Sequence, residues 1–99
     1  MSVEPWALVG LHANVRFVVL AEVSAGLLPR LMEPFARRDL VPSTFEATHS
    51  GAQLRVEIAM QAMPAEMVHL VEGNMRQVTG VTSLVRSAEI TGSVRRHAA

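Results

Sequence analysis

Two regimes of apolar patterning run along the chain. Residues 15–22, VRFVVLAE, form a β-branched and aromatic run. A strand that is apolar on both faces reads this way, and such strands lie at the centre of a sheet. Phe17 and Val19 then face one way, Val18 and Leu20 the other. Beyond VSAG the apolar positions fall at 27, 28, 31, 32, 35 and 36. That i, i+3, i+4 spacing predicts an amphipathic helix from Gly26 to Arg38. Ser24 is placed to cap it. Arg37 and Arg38 fall in its last turn, where the macrodipole favours cations. Pro34 removes one hydrogen bond and predicts a kink, yet the apolar period runs through it unbroken.

Residues 41–48, VPSTFEAT, alternate less cleanly. Pro42 cannot donate to a ladder, so this segment predicts an edge strand. His49-Ser50-Gly51 signals a turn. Residues 52–61 then set Leu54, Val56, Ile58 and Met60 against Gln53, Arg55, Glu57 and Gln61, a half-buried strand that closes a hairpin. Pro64 suits the first turn of a second helix. Its stripe is Met67, Leu70, Val71, Met75 and Val78, and VTSLVRSAEI (81–90) follows Gly80 as a last strand.

The order is β-α-β-β-α-β, an α+β chain of the ferredoxin-like plan. Right-handed crossovers put both helices on one face of a four-stranded antiparallel sheet, with the first and third strands central. The expected core is Phe17, Val19, Leu28, Leu31, Phe35, Val56, Ile58, Leu70 and Val71. The open sheet face is expected to carry Val18, Leu20, Ala59 and Leu84 among Arg16, Thr44, Arg55, Glu57 and Arg86. This division makes 1–14 an N-terminal extension, 15–90 the domain, and 91–99 a basic tail expected to be flexible. An apolar open face and an unpaired edge strand predict a homodimer, with the Trp6–Leu11 run as an additional cover.

Composition excludes more chemistry than it suggests. Ninety-nine residues make one domain. All nine basic residues are Arg, nine residues are acidic, and the formal net charge is zero. No general field draws nucleic acid or an anionic membrane. An RNA-stacking sheet needs aromatics on its central strands, and only Phe17 stands there, at a core position. The absence of Lys excludes Schiff-base and P-loop chemistry. The absence of Cys excludes disulfides, thiolate catalysis and Cys-ligated metals. His12, His49, His69 and His97 fall on four different elements and read as surface residues, so no metal or cofactor is expected. Asp39, the only Asp, ends a helix, and no Ser-His-Asp set is apparent. An acyl-phosphate hydrolase would need an Arg in the first loop, and none is there. No catalytic residue is therefore assigned. No apolar run approaches the ~18–20 residues of a membrane span. Trp6–Leu11 is too short and wrongly flanked for a signal peptide, and a cytoplasmic location fits.

One candidate remains, the end of the first strand: Val23, Ser24, Ala25, Gly26 and Leu27. Backbone N–H groups at a helix start are unpaired and partly positive. Gly26 lets a ligand or a neighbouring chain approach closely. An amino-acid carboxylate suits such a place. A helix cap at Ser24 and a turn at Gly26 account for the same residues without a ligand, and both accounts stand at this point.

The stretch VVLAEVSAGLLPRLMEPFARRDLVPSTFEA (18–47) resembles the ACT-domain family, most of all the regulatory small subunit of acetolactate (acetohydroxyacid) synthase. That family reads as a strand, Asn-x-Pro-Gly-x-Leu-x-Arg, an apolar helix ending Phe-x-Arg-Arg-Gly, and a strand. Gly26, Leu28, Arg30, Leu31, Phe35, Arg37 and Arg38 match in register. The family's ligand-contacting Asn or Asp falls on Val23, its Pro on Ala25, its helix-closing Gly on Asp39 and its following Asn on Val41. The resemblance implies a non-catalytic, homodimeric regulatory domain of an amino-acid-metabolism enzyme. Its partner would be a catalytic large subunit and its effector an amino acid. Because Val23 has no acceptor for an α-ammonium group, affinity for branched-chain amino acids is expected to be weak or absent. The alternatives are a stand-alone homodimeric amino-acid sensor and, third, a small enzyme of the same fold.

Overall fold

The computed structural model describes residues 10–93. Its centre is β1 (Leu11–Glu22), which pairs antiparallel with β3 (Gln53–Pro64) on one side and β4 (Val81–Ser93) on the other. The outer strand β2 (Thr44–Ser50) pairs antiparallel with β3, so the order is β2-β3-β1-β4. Helices α1 (Leu27–Ala36) and α2 (Val68–Arg76) complete the βαββαβ, ferredoxin-like fold. The expected element order and the central place of the first and third strands hold.

Phe17 faces Ile58 on β3 and Arg86 on β4, while Val19 faces Val56 and Leu84. These pairs, with Leu27, Leu31, Phe35, Val71 and Met75 of the helices, make a core buried to within a few per cent. Two expected core residues depart from the plan. Leu70 is 46% exposed, and Leu28 is only partly buried. The second helix starts with a 3₁₀ turn at Ala65–Met67. That shifts the buried stripe of α2 to Val68, Val71 and Met75 and turns Leu70 outward.

The same register corrects the open face. Leu84 and Arg86 share the face of Val19 and Phe17, under the helices. Arg86 Nε donates to Glu72 of α2 at 2.8 Å. Val85, 62% exposed, replaces Leu84 on the open face, beside Val18. Arg16, Arg55 and Glu57 do lie there, and both guanidinium groups donate to the Glu57 carboxylate.

Strand ends also move. β1 starts at Leu11 rather than at 15, because Asn14 is paired: its Oδ1 accepts from the Ala62 N–H at 3.0 Å. This bond spans a β-bulge, where the register slips between Ala13 and Val15. Ala62 takes φ 54 there, and the extra residue lets β3 reach Pro64. β2 starts two residues past Pro42, and β4 continues to Ser93. Asn74 Oδ1 is buried without a donor among the described residues. The Trp6–Leu11 run and the basic tail lie largely outside the described residues.

Helix α1 ends at Ala36, so Arg37 and Arg38 follow the last helical turn instead of occupying it. The Leu40 N–H donates to the Phe35 carbonyl at 2.9 Å, and the Asp39 N–H to that of Ala36 at 3.2 Å. This is a Schellman closure with Asp39, φ 56, in the left-handed position that glycine usually fills. Arg38 Nη1 donates to the Pro34 carbonyl at 2.9 Å, satisfying one of the orphan acceptors at this end. Pro34 itself is buried within the helix.

Candidate functional site

The loop leaving β1 is fixed from both sides. The Glu22 N–H donates to the Gly80 carbonyl at 2.9 Å, and the Val23 N–H to the Ala52 carbonyl of the β2–β3 hairpin at 3.1 Å. Three crossings of the chain therefore meet above the end of β1. Ser24, Ala25 and the side chain of Val23, 44% exposed, face outward from this junction, whereas Leu27 is fully buried.

Gly26 is the N-cap of α1, and no side chain caps the helix, so the expected Ser24 hydroxyl cap is absent. Ser24 contributes its carbonyl instead, which accepts from the Leu27 N–H at 3.2 Å. Among the described residues, no backbone carbonyl accepts from the N–H groups of Ser24, Ala25, Gly26 or Leu28. Of the backbone donors of the five candidate residues, those of Ser24, Ala25 and Gly26 are thus available, while those of Val23 and Leu27 are engaged. Free N–H groups at a helix start carry partial positive charge and suit an oxyanion.

Gly26 has φ −88, which any residue adopts, so the turn does not require glycine. What a side chain here would meet is the tip of an exposed arginine. A Cβ at Gly26 would sit 3.2 Å from Cζ of Arg30 and 3.3–3.4 Å from its terminal nitrogens. The Arg30 guanidinium is folded back one turn along the helix and lies over the Gly26 backbone. A full cationic charge is added to the dipolar charge of the helix end, and Arg30 is exposed. Sequence reasoning did not place Arg30 in the site. The available signal was its position four residues after Gly26, on the same helix face.

The arrangement offers backbone N–H groups and a guanidinium, donors of the kind an anionic group takes. It has no acceptor for an ammonium group at Val23, and no nucleophile or base is held against it. Among the described residues no three His, Asp or Glu side chains gather as a metal site. No described helix is long and apolar enough to cross a membrane.

A second charged cluster lies between α2 and β4. Burial would raise the Glu72 carboxyl, but the Arg76 hydrogen bond and the Arg86 charge outweigh it and hold the group below the usual carboxylate range. Arg76 also donates to the Leu84 carbonyl at 3.1 Å. The cluster ties α2 to β4.

No protein-family model matches the sequence, and no curated protein matches it. Solved structures share the fold. The ACT domain from GTP pyrophosphokinase of Chlorobium tepidum superposes with a TM-score of 0.65 at 12% identity, over 75% of this chain and 96% of that one. The C-terminal domain of the MgtC protein from Mycobacterium tuberculosis gives 0.58 at 15% identity, over 87% and 96%. The regulatory subunit of aspartate kinase from Thermus flavus gives 0.54 at 8% identity, over 83% of this chain and 58% of that one. At these identities the likeness is one of fold.

Proposed function

We propose that the chain is a non-catalytic, ACT-like regulatory domain that responds to a small anionic metabolite and works as a homodimer. The observation that carries this reading is the α1 N-terminus. There no backbone carbonyl accepts from the N–H groups of Ala25 and Gly26, and the Arg30 guanidinium lies against Gly26. The fold shared with an ACT domain and with an aspartate kinase regulatory subunit supports it. The ligand-binding residues are Val23, Ser24, Ala25, Gly26 and Leu27, the last through its backbone position alone, with Arg30 added.

The partner is a catalytic subunit of amino-acid metabolism, and acetolactate synthase is the specific candidate. The Leu28-x-Arg30 and Phe35-x-Arg37-Arg38 register supports that choice. A homodimer uses the outer edge of β2, where six of seven residues are exposed, together with Val41, 84% exposed just ahead of it. An unpaired edge of this kind is a template for a second strand, and an isologous twofold contact closes it.

Two measurements test the reading. Analytical ultracentrifugation of the isolated chain at micromolar concentration is expected to give twice the single-chain mass, and a clean monomer overturns the dimer. Added to a purified acetolactate synthase catalytic subunit, the chain is expected to bind and raise its activity. No binding removes that partner while leaving the fold and the anion site standing. The stand-alone sensor reading is favoured by the site being complete within one chain. It predicts a ligand-dependent melting shift without any enzyme present.

A further inference from the structure

The open sheet face has a hollow of about 420 Å³ at the end where β1 starts. Asn14 and Arg16 of β1, Ala59 and Gln61 of β3, and Ser87 and Glu89 of β4 wall it. Small-ligand pockets run from roughly 300 to 1,000 Å³. Short side chains make the room, since Ala59 and Ser87 stand directly opposite Arg16 on its two neighbouring strands. Irregular pairing frames it. The register of β1 slips against β3 between Ala13 and Val15, and against β4 between His12 and Ala13. Such irregularities re-aim side chains and gather beside binding sites. Ala62, at the first slip, keeps a left-handed backbone of φ 54, a strained state for alanine.

The polar groups are set by the chain around them. Asn14 Oδ1 accepts from the Ala62 N–H at 3.0 Å, so the free end of that carboxamide is its Nδ2 donor. Arg16 uses Nη2 on Glu57 and keeps further N–H donors to offer. Ser43 fixes the rim, because its N–H and its hydroxyl both donate to the Ala59 carbonyl, at 2.8 and 3.0 Å. Glu89 stands directly opposite Asn14 and diagonal to Arg16. Among the described residues its carboxylate enters no ion pair.

The hollow thus presents a cation, an amide donor and an anion, in the order Arg16, Asn14, Glu89. Diagonal neighbours on paired strands lie about 7–8 Å apart. A free α-amino acid carries both its charges on one carbon, well short of that spacing. An extended chain of two residues spans about 7 Å. It bears a carboxylate at one end, an ammonium at the other and one peptide carbonyl between them.

We propose that this hollow binds a dipeptide, with its carboxylate on Arg16, its peptide carbonyl on Asn14 Nδ2 and its ammonium on Glu89. The short side chains of Ala59 and Ser87 leave room for varied residues, so the termini and the peptide bond are what the site reads. It goes beyond the regulatory reading and does not depend on it. Asn14 and Glu22, at the two ends of β1, are eight residues or about 26 Å apart, so the α1 loop is a different place.

A chemical-shift titration of the full chain with glycylglycine tests this. Saturable shifts are expected at the amides of Asn14, Ser87 and Glu89. Glycine, which cannot meet both ends, and N-acetylglycylglycine, which has no ammonium, are each expected to bind at least about ten-fold more weakly, as loss of a hydrogen bond to a charged group implies. Glu89→Gln should erase the preference for glycylglycine over its acetylated form. Ser87→Arg, which fills the hollow, should abolish binding. Cooperative thermal unfolding shows that each variant is folded, and Glu89→Gln alone serves if Ser87→Arg is not. Arg30→Gln should leave the titration unchanged. The absence of saturable shifts at millimolar glycylglycine overturns the proposal. So does equal affinity for the acetylated peptide, or a folded Glu89→Gln variant that keeps the preference. Loss of binding in Arg30→Gln overturns it too, since the peptide then sits at the α1 loop.

Discussion

Phe17 of β1 and Phe35 of α1 meet edge to face, with ring centroids 5.9 Å apart and planes at 74°. Both are fully buried. The pair joins the central strand to the last turn of the helix that starts at the candidate site. Phe35→Ala is expected to cost about 3–5 kcal/mol in urea unfolding. A double-mutant cycle with Phe17→Leu should show about 0.5–1.5 kcal/mol of coupling beyond the separate losses. A cost near zero would mean that α1 does not pack in this register.

Among the described residues two that are not glycine sit in left-handed backbone, Asp39 at φ 56 and Ala62 at φ 54. Ala62→Gly is expected to raise stability by about 0.5–1 kcal/mol, since relief of Cβ crowding exceeds the added chain entropy. Asp39→Gly should gain less, because Asp tolerates this region better than Ala does. Thermal melts of the two variants check both the sign and the order.

Acid stability should depend on Glu72. Its carboxyl is held below the ordinary range, with burial opposing and the hydrogen bond from Arg76 and the charge of Arg86 prevailing. A carboxyl with a depressed folded pKa contributes stability that is fully present above its unfolded value of about 4.3. That stability is lost as pH falls through the lower folded value. Glu72→Gln is expected to cost about 1 kcal/mol at neutral pH, reflecting arginines that are half exposed. It should also flatten the decline in melting temperature below pH 4.3. Glu57, held low chiefly by the Arg16 hydrogen bond, is more exposed to solvent, and its effect should fade with added salt.

At the helix start, Arg30→Gln should abolish carboxylate binding measured by calorimetry while leaving the melting temperature nearly unchanged. Gly26→Ala should weaken binding by displacing the guanidinium, again at little cost to the fold, since φ −88 suits alanine. Val23→Asn adds the missing acceptor and is expected to strengthen binding of α-amino acids over plain carboxylates. Micromolar binding of valine to the unaltered chain would contradict this account of Val23.

Local periodicity made most of the fold legible. The stripe at Leu27, Leu31 and Phe35 survives Pro34 because the ring is itself buried in the apolar face. The alternation through Val56 and Ile58 is that of a strand covered on one side. What escaped depends on partners distant in sequence. Asn14 looks like a strand breaker until the Ala62 N–H, 48 positions away, is found donating to it. Leu70 fits a helical stripe until the 3₁₀ turn changes the phase. The Glu72–Arg76 pair was readable at i, i+4, but Arg86 joins it only through the register of β4. At the site, glycine at position 26 suggested a turn, whereas its φ of −88 suits any residue and what lies against it is the Arg30 guanidinium.

The central strand also imposes an order of events during synthesis. β1 is made early, yet one of its two neighbours is β4, and the hydrogen bond from Thr82 to the Leu20 carbonyl spans 62 positions. Until β4 is made, one edge of the most apolar strand has no ladder to join. The nascent chain can assemble β1, α1, β2 and β3 locally, and must then wait. Loop closure over such separations is slow relative to local contacts, so refolding should be limited by the docking of β4. During that interval the bare edge of β1, more than any surface of the finished molecule, is where a chaperone would act.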